Sequence, residues 1–89
     1  MELSVAGKLA FFATGGRSFD RGKPALVMVH GAGMDHTVWS MQARFFAHHG
    51  FSVMNPDLPG HGRSEGPAPT TIPDYTDWLA SAIDLAGAR

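Results

Sequence analysis

The stretch VMVHGAGMDHTVW, Val27 to Trp39, passes from an apolar run through two glycines into a helix start. The run that feeds it, Ala25 to Val29, is apolar without alternation, the pattern of a strand covered on both faces as in a parallel sheet. Between such a strand and a helix the backbone N–H groups are unpaired, and the helix dipole is positive at that end. Two uses of this geometry are common. One cradles a dinucleotide pyrophosphate, and the other holds the oxyanion of an acyl-transfer intermediate. The dinucleotide pattern needs G-x-G-x-x-G, and Gly31-Ala32-Gly33-Met34-Asp35-His36 has His36 at the third glycine. That glycine normally allows close helix–strand packing, so a nucleotide-binding βαβ domain is the weaker reading.

Upstream, Glu2 to Ala6 and Lys8 to Thr14 are short runs around Gly7, with Leu9, Phe11 and Ala13 at period two, and a hairpin is expected. Gly15 to Pro24 (GGRSFDRGKP) reads as a loop. Downstream, Thr37 is the expected helix cap. Val38, Met41, Phe45 and Phe46 recur near helical spacing, His48 and His49 fall in the last turn, and Gly50 is a left-handed stop. Phe51 to Asn55 (FSVMN) reads as a second buried strand. Pro56 to Pro69 (PDLPGHGRSEGPAP) is too rich in Pro and Gly for helix or central strand. Thr71, with Asp74 three residues on, caps a last helix whose face carries Ile72, Tyr75, Leu79, Ala82, Ile83 and Ala86, and Gly87 ends it. The order β-hairpin, β, α, β, α predicts an α/β fold with a right-handed crossover and a parallel strand pair.

At 89 residues the chain has room for one small domain, and 44% hydrophobic content is that of a globular protein. A net charge of -1 without a basic block argues against a nucleic-acid partner. There are no cysteines, hence no disulfide framework or thiolate metal site. No basic leader or long apolar run follows Met1, so no signal peptide, no membrane partner and a cytoplasmic location are expected.

His30-Gly31-Ala32-Gly33 resembles the HGxG loop that follows the third strand of the α/β-hydrolase superfamily, and Pro56 to Ser64 (PDLPGHGRS) resembles the D-x-x-G-x-G-x-S stretch after its fourth strand. Both sit at the matching strands with a helix between them, and the resemblance covers essentially the whole chain. It implies the N-terminal part of an α/β-hydrolase sheet, a single incomplete domain over residues 1–89. It also implies a serine-type reaction on a small-molecule ester or ketone, by nucleophilic attack on a carbonyl and hydrolysis of an acyl-enzyme, without cofactor. The absence of Pro after Ala32 points away from epoxide and dehalogenase branches and toward esterases or C–C-bond hydrolases.

The nucleophile elbow G-x-S-x-G is not found: Ser4, Ser18, Ser40, Ser52, Ser64 and Ser81 all lack the flanking glycines. The family's acid and base histidine come later still, so the chain is expected to be truncated before the nucleophile strand and inactive alone. Ala32 and Gly33 are the candidate oxyanion-hole N–H donors. His30, Gly31 and His61 are expected to support the loops, and Met34 to line the pocket mouth. His36, His48 and His49 are expected to be solvated or capping, Asp57 to fix its own turn, Ser64 to serve a turn or cap, and Trp39 and Trp78 to pack. No metal site is expected, since no histidine pair on one helix face is accompanied by a carboxylate motif. With the strand that flanks it in the family absent, the Ala25–Val29 strand becomes an apolar edge, open to self-association. The alternative is a non-catalytic binding module that uses that edge.

Overall fold

In the computed structural model, which describes residues 1–88, β1 (Glu2–Val5) and β2 (Lys8–Ala13) form an antiparallel hairpin. Its turn residues Ala6 and Gly7 both have positive φ, the two-residue turn whose twist matches the strands. The 15–24 segment is a loop, and β3 (Ala25–Val27) follows. The chain crosses through α1 (Ser40–Ala47) to β4 (Ser52–Pro56), which pairs with β3 in parallel, and α2 (Ile72–Ala86) closes the fold. Sheet order is β1-β2-β4-β3, with β2 antiparallel to β4. The architecture is the expected α/β arrangement, an open mixed sheet with two helices.

β4 explains the three layers. Val53 and Met54 are adjacent and both fully buried, so they point to opposite faces of the sheet. Met54 joins Val5, Ala10, Phe12, Ala82 and Ala86 beneath α2. Val53 joins Met28, Ala43 and Ala47 beneath α1.

The strands begin and end differently from expectation. β3 stops at Val27 rather than Val29, because the chain turns into the glycine loop. β4 runs Ser52 to Pro56, and Pro56 sits at its end opposite Phe12, where its missing N–H breaks no long ladder. On β2 it is Ala10 and Phe12 that enter the core, and Phe12 stacks on Trp78 with centroids 5.8 Å apart. On the other face, Phe11 lies against the His36 ring, with centroids 5.1 Å apart, and under Arg63.

Helix faces show the larger correction. Val38, Met41 and Phe45 are exposed, Met41 at 84%. Against the sheet α1 instead buries Ala43 and Ala47, flanked by half-buried Trp39 and Phe46. The cause is close approach: a Cβ at Gly15 would lie 2.7 Å from the Ala47 Cβ, so only small residues fit between α1 and the loop after β2. Nor does Thr37 cap the helix. Asp35, in extended conformation, accepts the Thr37 N–H at 2.9 Å and opens a 3₁₀ turn (His36–Trp39) that runs into α1. Gly50 has φ +93, as its place after the helix requires.

On α2, Thr71 caps as expected, accepting the Asp74 N–H at 3.2 Å, without the reciprocal bond of a full capping box among the described residues. Gly87 closes it in left-handed conformation. Ala82 and Ala86 are buried as read, whereas Ile72 is 77% exposed.

Replacing Phe12 with Ala removes a fully buried aromatic ring from the α2 face. Urea denaturation should show a loss of about 3–5 kcal/mol, against a change within about 0.5 kcal/mol for Leu9→Ala on the opposite face. Equal losses would misplace the core.

Candidate functional site

Two loops meet at the C-terminal ends of β3 and β4, where open α/β sheets build their sites. In the first, Gly31 to Met34 form a β-turn closed by the Met34 N–H on the Gly31 carbonyl at 3.2 Å. Gly33 stands third in that turn with φ +81, the value a type II turn demands and only glycine adopts without strain. This is the physical reason for the second glycine of the motif.

The loops are tied together by side chains. His30, 4% exposed, accepts the Leu58 N–H on Nε2 at 3.0 Å, and its Nδ1 lies 2.7 Å from the Gly31 carbonyl. His61 returns the tie: its Nε2 accepts the Gly33 N–H at 3.0 Å, and its Nδ1 lies 3.0 Å from the Pro59 carbonyl.

Asp57 forms the third tie. Its carboxylate is fully buried, and Oδ1 accepts both the His36 backbone N–H (2.7 Å) and the His36 ring Nδ1 (2.9 Å). Oδ2 accepts the Arg63 N–H at 2.8 Å. Burial pushes the Asp57 carboxyl up, but the N–H groups of Arg63 and His36 and the His36 ring outweigh it and hold the group below its ordinary value. His36 is therefore not the solvated or capping residue expected from sequence; it is half-buried against a carboxylate, with its carbonyl held by the Asn55 amide at 2.9 Å. Ser64, buried, donates to the Asp57 carbonyl at 2.6 Å and accepts the Phe11 N–H at 2.9 Å, stitching the loop to β2. Sequence reading missed the His36–Asp57 pair. Its signal was present only as the third position of a broken glycine pattern.

Asp35, His36 and Asp57 bring three ligand-type atoms within 4.8 Å of one another. Each is already engaged: the Asp57 oxygens by N–H groups, the His36 Nδ1 by Asp57, and Asp35 by the N–H and hydroxyl of Thr37, which lower its pKa.

The two candidate oxyanion donors differ. The Gly33 N–H is committed to His61. The Ala32 N–H has no acceptor among the described residues, and Ala32 is exposed at the rim of a cleft of about 290 Å³ lined by Val29, Leu58, Tyr75 and Leu79. Met34 does not line this cleft. It lies with Gly33 and His61 on a separate open depression of about 590 Å³.

A strand-to-helix glycine turn is thus clasped to a second glycine loop, with Ala32 exposed at the rim of an apolar cleft. The sequence profile of the alpha/beta hydrolase family matches residues 26–89, and the chain belongs to that family. It is 38% identical over 63 residues to the (E)-2-((N-methylformamido)methylene)succinate hydrolase of Acinetobacter baylyi, covering 70% of this chain and 23% of that protein. To a pimeloyl-acyl-carrier-protein methyl ester esterase of Proteus mirabilis it is 37% identical over 66 residues, 73% of this chain and 24% of the other. Its structure is similar to that of epoxide hydrolase A from Mycobacterium thermoresistibile (TM-score 0.83, 26% identity, 99% of this chain and 28% of that one). The chain thus spans about a quarter of the length of the curated relatives it matches.

Two measurements test the Asp57 tie. Because the folded pKa is depressed, its stabilisation is present above the ordinary carboxylate value of about 3.9 and is lost as pH falls through the lower folded value. Asp57→Asn should therefore flatten the acid limb of the stability–pH curve in that window. Gly62 has φ +49, and a Cβ there would collide with the Asp57 carboxylate. Gly62→Ala should lower stability by more than about 2 kcal/mol, whereas Gly7→Ala, with open space around it, should show only backbone strain of about 1 kcal/mol. An unchanged acid limb in Asp57→Asn would remove Asp57 from this role.

Proposed function

We propose that this chain is the N-terminal part of a serine-type α/β-fold hydrolase of cytoplasmic location, esterase-like or C–C-bond-hydrolase-like, and that it supplies one half of the oxyanion hole. The observation that carries the reading is the Ala32 N–H, without an acceptor among the described residues, on an exposed residue beside an apolar cleft, in a turn whose Gly31 carbonyl and Gly33 N–H are both held. Of the two donors considered, Ala32 is the one left free to meet a carbonyl oxygen as it becomes an oxyanion. The apolar cleft suits an ester or ketone with a hydrocarbon substituent. The ester-hydrolase name of the Proteus mirabilis relative supports the branch. The nucleotide-binding alternative gains nothing: His36, at the third glycine position, is occupied with Asp57.

On this reading the 89 residues form one incomplete domain and do not turn over substrate alone, because the Ser that forms the acyl-enzyme is not among them. Purified chain should hydrolyse p-nitrophenyl esters only at background rate. Turnover that survives a control for contaminating esterase would refute the inactivity. The parent activity is tested by the DNA downstream of the Arg89 codon: a continuing frame is expected to encode G-x-S-x-G within a short distance, and its product to hydrolyse the esters. A product with the elbow but no ester or ketone hydrolysis would count against the branch.

A second reading rests on the sheet edge. β3 is the terminal strand, and its bonds to β4 use Pro24 and Met28, so by alternation the Val27 N–H faces the open side. Exposed Val29 continues that edge. We infer that the chain self-associates through β3. Val27→Pro removes an outward donor without touching the β4 ladder. In sedimentation velocity it should shift the chain toward monomer with its circular dichroism unchanged. A monomeric parent chain would sink this reading.

A further inference from the structure

His30 and His61 carry matching hydrogen bonds in opposite directions between the two loops. Each ring accepts a backbone N–H on Nε2, from Leu58 and Gly33 respectively, and each has Nδ1 against a carbonyl, of Gly31 and Pro59. A backbone N–H only donates and a carbonyl only accepts, so both rings are neutral with the proton on Nδ1. Their centroids are 5.1 Å apart.

These bonds fall on the two peptide planes that flank the Ala32 Cα. The Gly31 carbonyl, held by the His30 ring and the Met34 N–H, belongs to the same planar peptide as the Ala32 N–H. In a trans peptide the two point in opposite directions, so holding the carbonyl toward His30 aims the Ala32 N–H away from it. The next plane carries the Gly33 N–H, held by His61. Gly33 has no side chain, and a Cβ there would meet nothing within 4 Å, so packing does not restrain this plane.

We infer that His61 is a positioning residue for the oxyanion donor: by holding the Gly33 N–H it fixes the Ala32–Gly33 peptide, and with His30 on the other plane it sets the direction of the Ala32 N–H. This deepens the oxyanion reading above and rests on it. The arrangement works only in the neutral tautomer. A proton added to Nε2 of either ring sets N–H against N–H, breaks that tie, and places a positive charge beside the other ring. The groups facing His61 are His30 from the end of β3 and Asp35 from the glycine loop, which shares its depression. From its own loop come Asp57, taken up by His36, and Arg63, seated over the Phe11 ring at 4.9 Å.

The experiment is amide hydrogen exchange by NMR on the 89-residue chain, corrected for intrinsic rate, with imidazole nitrogen shifts to read the tautomer. His61→Phe keeps a ring but no acceptor, and Gly33 protection should fall roughly tenfold while the Met54 amide in β4 is unchanged. His61→Gln offers a carbonyl to Gly33 and an amide to Pro59, and should restore most of the protection. Acid that places a proton on Nε2 should remove Gly33 protection in the parent chain, whereas the Gln variant should stay level. The parent should also show the Nδ1–H tautomer at high pH. Gly33 protection equal in the His61→Phe variant and the parent chain, or the same pH response in the Gln variant, would overturn the inference; should the Phe variant not fold, the Gln comparison and the tautomer decide it. No substrate enters this measurement, so failure of the downstream frame to hydrolyse esters would leave its outcome standing, and the reverse.

Discussion

A carboxylate sealed from solvent either finds N–H partners or takes up a proton, and Asp57 finds its partners in two different loops. That requirement organises this end of the molecule. To reach Oδ1, His36 must stand at the entry to the first helical turn, so the glycine loop has to end there. To reach Oδ2, the Arg63 N–H must fold back six residues, which forces Gly62 into a conformation and a space that only glycine fits. Ser64 then carries the loop to β2 through the Asp57 carbonyl and the Phe11 N–H. One buried charge thereby sets the register of two loops against three strands.

The glycine loop inherits its rigidity from this arrangement rather than from its own residues. Glycines lower the barrier to bending and supply no packing, so a turn such as Gly31–Met34 would sample many orientations if left free. Asp57 fixes the loop's far end through His36, and the His30 and His61 rings fix its near end and middle. A preorganised donor stabilises a developing charge without reorganising at the moment of reaction, and its value depends on how little it moves. On the proposed reading, the Ala32 N–H meets that condition through its own peptide, whose Gly31 carbonyl is held by the His30 ring and the Met34 N–H.

Most of the architecture was legible because it depends on local pattern. The apolar run of β3, the short strand β4, the turn at Gly7, the cap at Thr71 and the stops at Gly50 and Gly87 are set by local pattern within a few residues. What escaped was set by distance between elements. The size of Val38, Met41 and Phe45 marked a helical face, but the loop after β2 approaches α1 so closely at Gly15 that Ala43 and Ala47 face inward. Phase on β2 was ambiguous for the same reason: Phe11 and Phe12 are equally apolar, and only the position of Trp78 puts Phe12 in the core. In the site, motif spacing marked His30, Gly31, Ala32, Gly33 and His61, yet it contains nothing about which N–H groups are taken. That Gly33 is bound to His61 while Ala32 is free follows from a contact 28 residues away in sequence.

Two features that the fold leaves open lie close together. Val29 exposes its side chain just past the open edge of β3, Ala32 its N–H three residues further on, and both line the same apolar cleft against α2. Backbone donors, strand edges and apolar walls are each disfavoured when left open to water, and natural domains normally cover them. They coincide at the C-terminal end of an edge strand, the end at which open α/β sheets bind their ligands. The same loops that are closed on every other side by Asp57, His30 and His61 are open on this one. On the proposed reading, this open side is where a nucleophile would approach Ala32.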